Sequence, residues 1–239
     1  MLGISRCTCF VRNKTFLLIL FLAGGGQSFQ EVFYFLDYIF MKALLPVATG
    51  NEEIEFCALV DVLRRACIDV TVASVESFGT VVLQKGLRIV PDASLEDVAD
   101  HAWDAIVMPG GVPGAMNLGA SDLLKAIIQR HHASGGLLGA ICLSPALVLK
   151  PAGVLERAKK VTGNPLAIKT PDQVWPDDAF TQLLGSAFDP NIRVCVDRDN
   201  NIVTSQTPGT AIEYALAIVT LLRGEKVASE ISDYFLVKT

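Results

Sequence analysis

Three short stretches of the 239-residue chain place reactive or hydrogen-bonding groups directly after apolar runs: TGNEE (49–53), PGGVPG (109–114) and CLSP (142–145). If those runs are strands of one parallel sheet, all three stretches sit at strand carboxyl ends and converge in space. Cys142 carries the most chemistry among them. The run GLLGAI (136–141) stops at it, and Pro145 follows where the first turn of a helix tolerates proline's missing N–H. Strand, sharp turn and helix make a nucleophile elbow, here without the usual second glycine. A thiol so placed faces a helix N-terminus, whose positive dipole end is expected to lower its pKa. An inert, small buried cysteine also fits the position.

Glu55 is the second group of interest. At 100° per residue, a helix over Glu52 to Cys67 gathers Phe56, Leu59, Val60, Val62, Leu63 and Ala66 into an apolar arc. Glu53, Asp61, Arg64 and Arg65 fall opposite, yet Glu55 lies inside the arc. A carboxylate aimed at the sheet must be paired or protonated, because burying an isolated charge is too costly. Glu55 is therefore expected to be neutral or to share a proton with the Cys142 sulfur as general acid/base; a helix-start glutamate gaining only dipole stabilisation is the plainer reading. Gly110 and Gly111 bring backbone N–H groups without side chains to a strand end, where they and the N–H of Leu143 could form an oxyanion hole. Glycine pairs also mark ordinary tight turns. No histidine follows a strand near Cys142; His101, His131 and His132 lie elsewhere, so a Cys-His dyad is not indicated.

The elements that must position these groups read as alternating strands and helices. Strand-like runs are 42–48, 69–75, 87–90, 104–109, 136–141, 159–163 and 201–205; helical stretches are 52–67, 94–98, 121–132, 145–149 and 208–223. Short, continuous Val/Ile/Leu runs belong to strands buried on both faces. The fold class is α/β, doubly wound around a mostly parallel sheet. Residues 169–201, rich in Pro, Asp and Asn, read as a long loop or small subelement beside the site.

A net charge of −5 without a Lys/Arg stripe offers no footprint for nucleic acid, and residues 41–239 show none for a membrane surface. Six scattered cysteines indicate neither a zinc site nor a disulfide framework, so the body of the protein reads as reduced and cytoplasmic. Residues 1–40 stand apart. Arg6, Arg12 and Lys14 precede TFLLILFLA (15–23) and GGG, the layout of a targeting segment, which would make the location organellar or secretory. An extension upstream of a start at Met41, and a structural element, are the other two readings. The domain is expected to span 41–239.

The stretches TGNEEIE (49–55), ALVDVLRRAC (58–67), PDASLED (91–97), MPGG (108–111), AIC (140–142) and TPGTAIEYALAIV (207–219), taken in order, resemble the ThiJ/PfpI superfamily, nearest its parkinsonism-associated deglycase branch. The resemblance implies a flavodoxin-like sandwich, with Cys142 as an oxidisable nucleophile, Glu55 as a protonated partner, and Gly110 and Gly111 as backbone donors. It implies no cofactor and no metal. It also implies a homodimer through the first helix, with polar contacts from Asp61 and Arg65. Pocket positions correspond to Asn164, Lys85, Gln206, Thr207 and Pro208. Asn164 stands where the branch carries a histidine, and Gln206-Thr207 where it carries an arginine, which argues against a triad hydrolase. Two function classes follow. One is glutathione-independent conversion of methylglyoxal or glyoxal to hydroxy acids, with protein deglycation as related chemistry. The other is an oxidative-stress sensor or redox-regulated chaperone acting through Cys142 oxidation. A role in thiamine biosynthesis rests on the superfamily's name alone.

Overall fold

The computed structural model describes residues 41–77, 79–165, 168–169, 174–175 and 179–237, so the expectations for residues 1–40 lie outside the described residues. The main sheet has seven strands, β1 (Lys42–Val47), β2 (Asp69–Ser74), β5 (Ala93–Ser94), β6 (Ala105–Met108), β7 (Leu137–Ile141), β10 (Val194–Asp197) and β11 (Ile202–Ser205). Two small ribbons, β3 (Val81–Val82) with β4 (Arg88–Ile89) and β8 (Ile168–Lys169) with β9 (Val174–Trp175), lie outside it. The spatial order is β10-β11-β7-β6-β1-β2-β5, parallel throughout except for the antiparallel β10–β11 edge. This is the doubly wound α/β class that the short, continuously apolar runs predict.

The strand order reverses at β1, because β2 follows on one side and β6 on the other. Right-handed crossovers in opposite directions put their helices on opposite faces and leave a crevice at the carboxyl ends of β1 and β6. Helix α1 (Glu53–Arg65) packs against α5 (Ala211–Arg223), which in turn packs on α6 (Glu225–Phe235). Helices α2 (Gly114–Gly119) and α3 (Asp122–Ala133) cover the other face; α4 (Ala179–Leu184) lies within the 169–201 stretch. Pro46 lies where β1 no longer pairs with β6, its missing N–H falling past Leu44↔Ile106.

The core is the sandwich of sheet and helices: Leu44, Leu45, Leu59, Leu63, Ile106, Met108 and Tyr214 are fully buried. Phe56, Leu59, Val62, Leu63 and Ala66 of α1 are buried as its apolar arc requires, while Val60 is half-buried. Glu52 caps α1 by accepting the Glu55 N–H at 2.8 Å, and the helix carries acids in its first turn and Arg64 and Arg65 in its last.

Several expectations are corrected. DASLED forms no helix: β5 takes Ala93–Ser94, and Ser94 Oγ accepts the Asp97 N–H at 3.2 Å to close turns running to residue 100. One turn with a cap cannot meet the cost of helix nucleation, and Leu95 and Val98 bury themselves without it. The run 87–90 joins the β3–β4 ribbon instead of the main sheet, and 159–163 contributes a single bridge, Val161↔Phe188. Residues 145–149 form a π-helical turn, and 208–210 a 3₁₀ turn ahead of α5. The stretch 169–201, expected as a loop or small subelement, holds α4 and β10, and β10 pairs with the otherwise open edge of β11. Among the described residues no helix is long and apolar enough to cross a membrane.

Candidate active site

The loops after β1, β6 and β7 meet as the strand-end reading requires. Glu52 N–H donates to the Gly110 carbonyl at 3.2 Å, joining the start of α1 to the loop after β6. Gly110 also touches the third loop: a Cβ there would lie 2.6 Å from Cys142 Cβ and 3.0 Å from Glu55 Oε2. A side chain at this position would fill the space that lets carboxyl and thiol meet. Gly111, with φ +95°, adopts a backbone conformation that L side chains rarely take.

Cys142 is itself left-handed, with φ +63°, the strain expected of a nucleophile elbow and worth about 1–3 kcal/mol for a non-glycine residue. Both sides of its backbone are clamped. Its N–H donates to the Ser205 carbonyl at 3.0 Å, and its carbonyl accepts the Asn164 N–H at 2.8 Å. Behind the first clamp, Ser205 Oγ donates to the Arg193 carbonyl at 2.8 Å and lies 2.6 Å from Thr210 Oγ1. These hydroxyls tie the elbow to the loop that starts α5.

Glu55 is fully buried. Its Oε2 accepts the Gly110 N–H at 2.7 Å, its buried Oε1 has no hydrogen-bond partner, and the carboxyl lies beside the Cys142 thiol. Burial pushes its pKa up to about 8, helped by the charge of Glu52 and opposed by the Gly110 and Cys142 hydrogen bonds. At neutral pH Glu55 is therefore mostly the neutral acid, as its place in the apolar arc predicts. The thiol moves in the direction opposite to expectation. Burial, followed by the Glu55 charge, raises the Cys142 pKa, while the N–H groups of Gly111 and Leu143 on the sulfur pull it down. The dipole loses this contest because the segment after Cys142 opens as a five-residue π turn, not a long α-helix, and because the thiol is only 7 % exposed.

The three expected backbone donors all point into the site, with divided tasks. Gly110 serves the carboxyl, whereas Gly111 and Leu143 serve the sulfur. Asn164 is 5 % exposed and adjoins Cys142 through its backbone. Lys85 is exposed at the mouth; its N–H donates to Glu53, and its charge opposes the upward shift of Glu52. Gln206, Thr207 and Pro208 follow β11 beside the elbow, but the Gln206 amide donates to the Pro190 carbonyl and so serves the neighbouring loop. Asp61 and Arg65 pair with each other at 2.9 Å, and the Arg65 guanidinium stacks over Tyr234 at 4.2 Å.

Sequence reading missed two side chains that the site depends on. Asn51 and Ser144 are both fully buried, and each donates to a carbonyl of the 109–110 stretch. Their signal was adjacency: one ends TGN before the helix, and the other stands two residues after the cysteine.

The description "DJ-1/PfpI family" matches residues 41–221. Protein DJ-1 homolog A of Arabidopsis thaliana is 37 % identical over 195 residues, 82 % of this chain; the chain spans less than half, 46 %, of that relative's length. A protein of Caenorhabditis elegans called glutathione-independent glyoxalase DJR-1.2 is 38 % identical over 196 residues, covering 82 % of this chain and 95 % of that one. The solved structure of oxidized Toxoplasma gondii DJ-1 superposes with a TM-score of 0.74 at 36 % identity, over 83 % of this chain and all (100 %) of the other. With the crevice, the strained cysteine and these relatives together, the chain belongs to the DJ-1/PfpI family.

Proposed function

We propose that this protein converts small reactive carbonyls such as methylglyoxal or glyoxal to hydroxy acids, with Cys142 as nucleophile and Glu55 as acid/base. The observation that carries this reading is the buried pair itself: a thiol and a protonated carboxyl side by side against Gly110, with the N–H groups of Gly111 and Leu143 toward the sulfur. In this scheme the pair reacts with one proton between its members: the Cys142 sulfur, as thiolate, bonds to the aldehyde carbon as the C=O π bond breaks, and Glu55 gives its proton to the new oxygen, leaving a hemithioacetal and the Glu55 carboxylate. Glu55 as carboxylate then takes the proton from that carbon and returns it to the neighbouring carbon through an enediol, leaving a thioester. Water cleaves the thioester, releasing the hydroxy acid and restoring the thiol. The sum is aldehyde plus water, with no net redox change. In this scheme the N–H groups of Gly111 and Leu143 stabilise the oxyanions formed beside the sulfur. Protein deglycation is related chemistry: the adduct first releases the protein's thiol or amine as its C–OH reverts to the aldehyde C=O, the hydroxyl proton passing to the leaving group, and Sγ then adds to that aldehyde as above. The printed activity of the C. elegans relative supports the reading. Methylglyoxal turnover by purified protein, with Cys142→Ser and Glu55→Gln beside it, tests it; absence of lactate from the wild type would overturn it.

The same geometry favours a sensor role as a second reading. Peroxide would transfer oxygen to Sγ in two steps, and a sulfinate there would meet the Gly111 and Leu143 N–H groups and the neutral Glu55 hydroxyl. Mass spectrometry after mild peroxide should then show two oxygens on Cys142 and little change at Cys57, Cys67 or Cys195. We also propose a homodimer across the face of α1, where Ile54 and nearby Leu87 and Val90 are exposed apolar groups; light scattering showing a monomer would exclude it.

A further inference from the structure

The N–H donors of Gly110 and Gly111 belong to two consecutive peptide groups, and each peptide is held at its carbonyl end by a fully buried side chain. Ser144 Oγ donates to the Pro109 carbonyl at 2.6 Å, and the N–H of that same peptide, on Gly110, donates to Glu55 Oε2 at 2.7 Å. Asn51 Nδ2 donates to the Gly110 carbonyl at 2.7 Å, and the N–H of that peptide, on Gly111, faces the Cys142 sulfur. Among the described residues the cis bond is Val112–Pro113, so both of these peptides are trans. A trans peptide carries its C=O and N–H in opposite directions, so fixing one end fixes where the other points.

We propose that Ser144 and Asn51 are positioning residues of the acid–base pair: through the Pro109–Gly110 and Gly110–Gly111 peptides, they aim one N–H at Glu55 and one at the Cys142 sulfur. The loop needs such anchors because its two glycines lack the steric restraint that would otherwise keep the peptides from turning over. A turned peptide would present a carbonyl oxygen to the carboxyl or the sulfur and disfavour any negative charge there. Ser144 thus links the turn after Cys142 to Glu55, and Asn51 links the end of β1 to the sulfur. Asn51 also accepts the Ala48 N–H at 2.7 Å through Oδ1, which fixes its own amide.

The proposal rests on Cys142 and Glu55 acting as one pair and not on any particular substrate, so its test uses alkylation instead of turnover. Modification of Cys142 by iodoacetamide, followed by mass spectrometry from pH 6 to 10, reports the titration of the pair. The wild type is expected to show an inflection near the Glu55 value of about 8. Ser144→Ala removes the grip on the Gly110 N–H and should move that inflection up by about 0.5–1 pH unit, since a carboxylate hydrogen bond is lost. Asn51→Ala should slow alkylation at pH 7 by about 3- to 10-fold, the worth of one hydrogen bond to the thiolate. Ser144→Thr keeps a hydroxyl and should restore the wild-type profile. Ser121→Ala, which removes the cap of α3 far from the site, should leave the profile in place. A wild-type inflection that neither Ser144→Ala nor Asn51→Ala moves beyond Ser121→Ala overturns the positioning roles. A wild type with no inflection overturns the pair itself.

Discussion

Cys142 and Cys195 are both buried free thiols, and burial raises the pKa of each. Their settings differ in everything else. Cys195 lies in the regular edge strand β10, where its Sγ–H donates to the Lys160 carbonyl at 3.4 Å above a shallow cleft of about 330 Å³. Cys142 sits in a left-handed turn with a protonated carboxyl beside it and two N–H groups on its sulfur. If Cys142 is the reactive thiol, as proposed, and Cys195 an inert one, then being out of water is not what separates them. A proton partner and oriented donors are, because they stabilise the charge that appears only during reaction.

The largest effect expected from this contrast is on turnover. Cys142→Ser should lower methylglyoxal conversion to background, whereas Cys195→Ser should stay within about 2-fold of wild type, as a site remote from the chemistry should. Comparable losses in both variants, read in the same lactate assay, would erase the distinction. Next is Glu55→Gln, which keeps the shape and removes the acid; turnover should fall by about 10²- to 10⁴-fold, the usual worth of a general acid/base.

A stability measurement sharpens the same point. Glu55 has its folded pKa raised from 4.5 to about 8, so the folded state binds the proton more tightly than the unfolded chain does. That contribution is fully present below pH 4.5 and is lost as pH rises toward 8, up to about 5 kcal/mol across the window. In urea titrations the wild type should therefore lose stability relative to Glu55→Gln between pH 5 and 8; parallel curves would mean that Glu55 is ionised in the fold. The smallest effect is the remote control. Ser121→Ala should cost about 1 kcal/mol of stability through the lost cap and leave the thiol's reactivity alone.

The same contrast marks what could be read from the chain beforehand. The elbow at Cys142 was legible because a buried strand, a polar turn and a helix-start proline are local signals. Glu55 was legible because one carboxylate breaks the 3.6-residue period of an otherwise apolar arc. The sign of the thiol's shift was not, since it depends on how far burial and a neighbouring charge outweigh a short helical turn, and sequence carries no distances. Ser144 and Asn51 escaped for a related reason: their partners are backbone carbonyls 35 and 59 residues away. Strand β10 was hidden because its four residues have little pattern of their own and form only against the edge of β11. Helix α6, which packs on α5, went unassigned because it follows directly on Gly224, where a glycine reads as the end of the preceding helix.

The most direct test of Cys142 and Glu55 as one acid–base pair is the pH dependence of iodoacetamide labelling at Cys142 in wild type and Glu55→Gln. The wild type should show an inflection near 8 that the variant lacks, leaving a single step for a thiol still raised by its burial. Superimposable profiles would contradict the pairing.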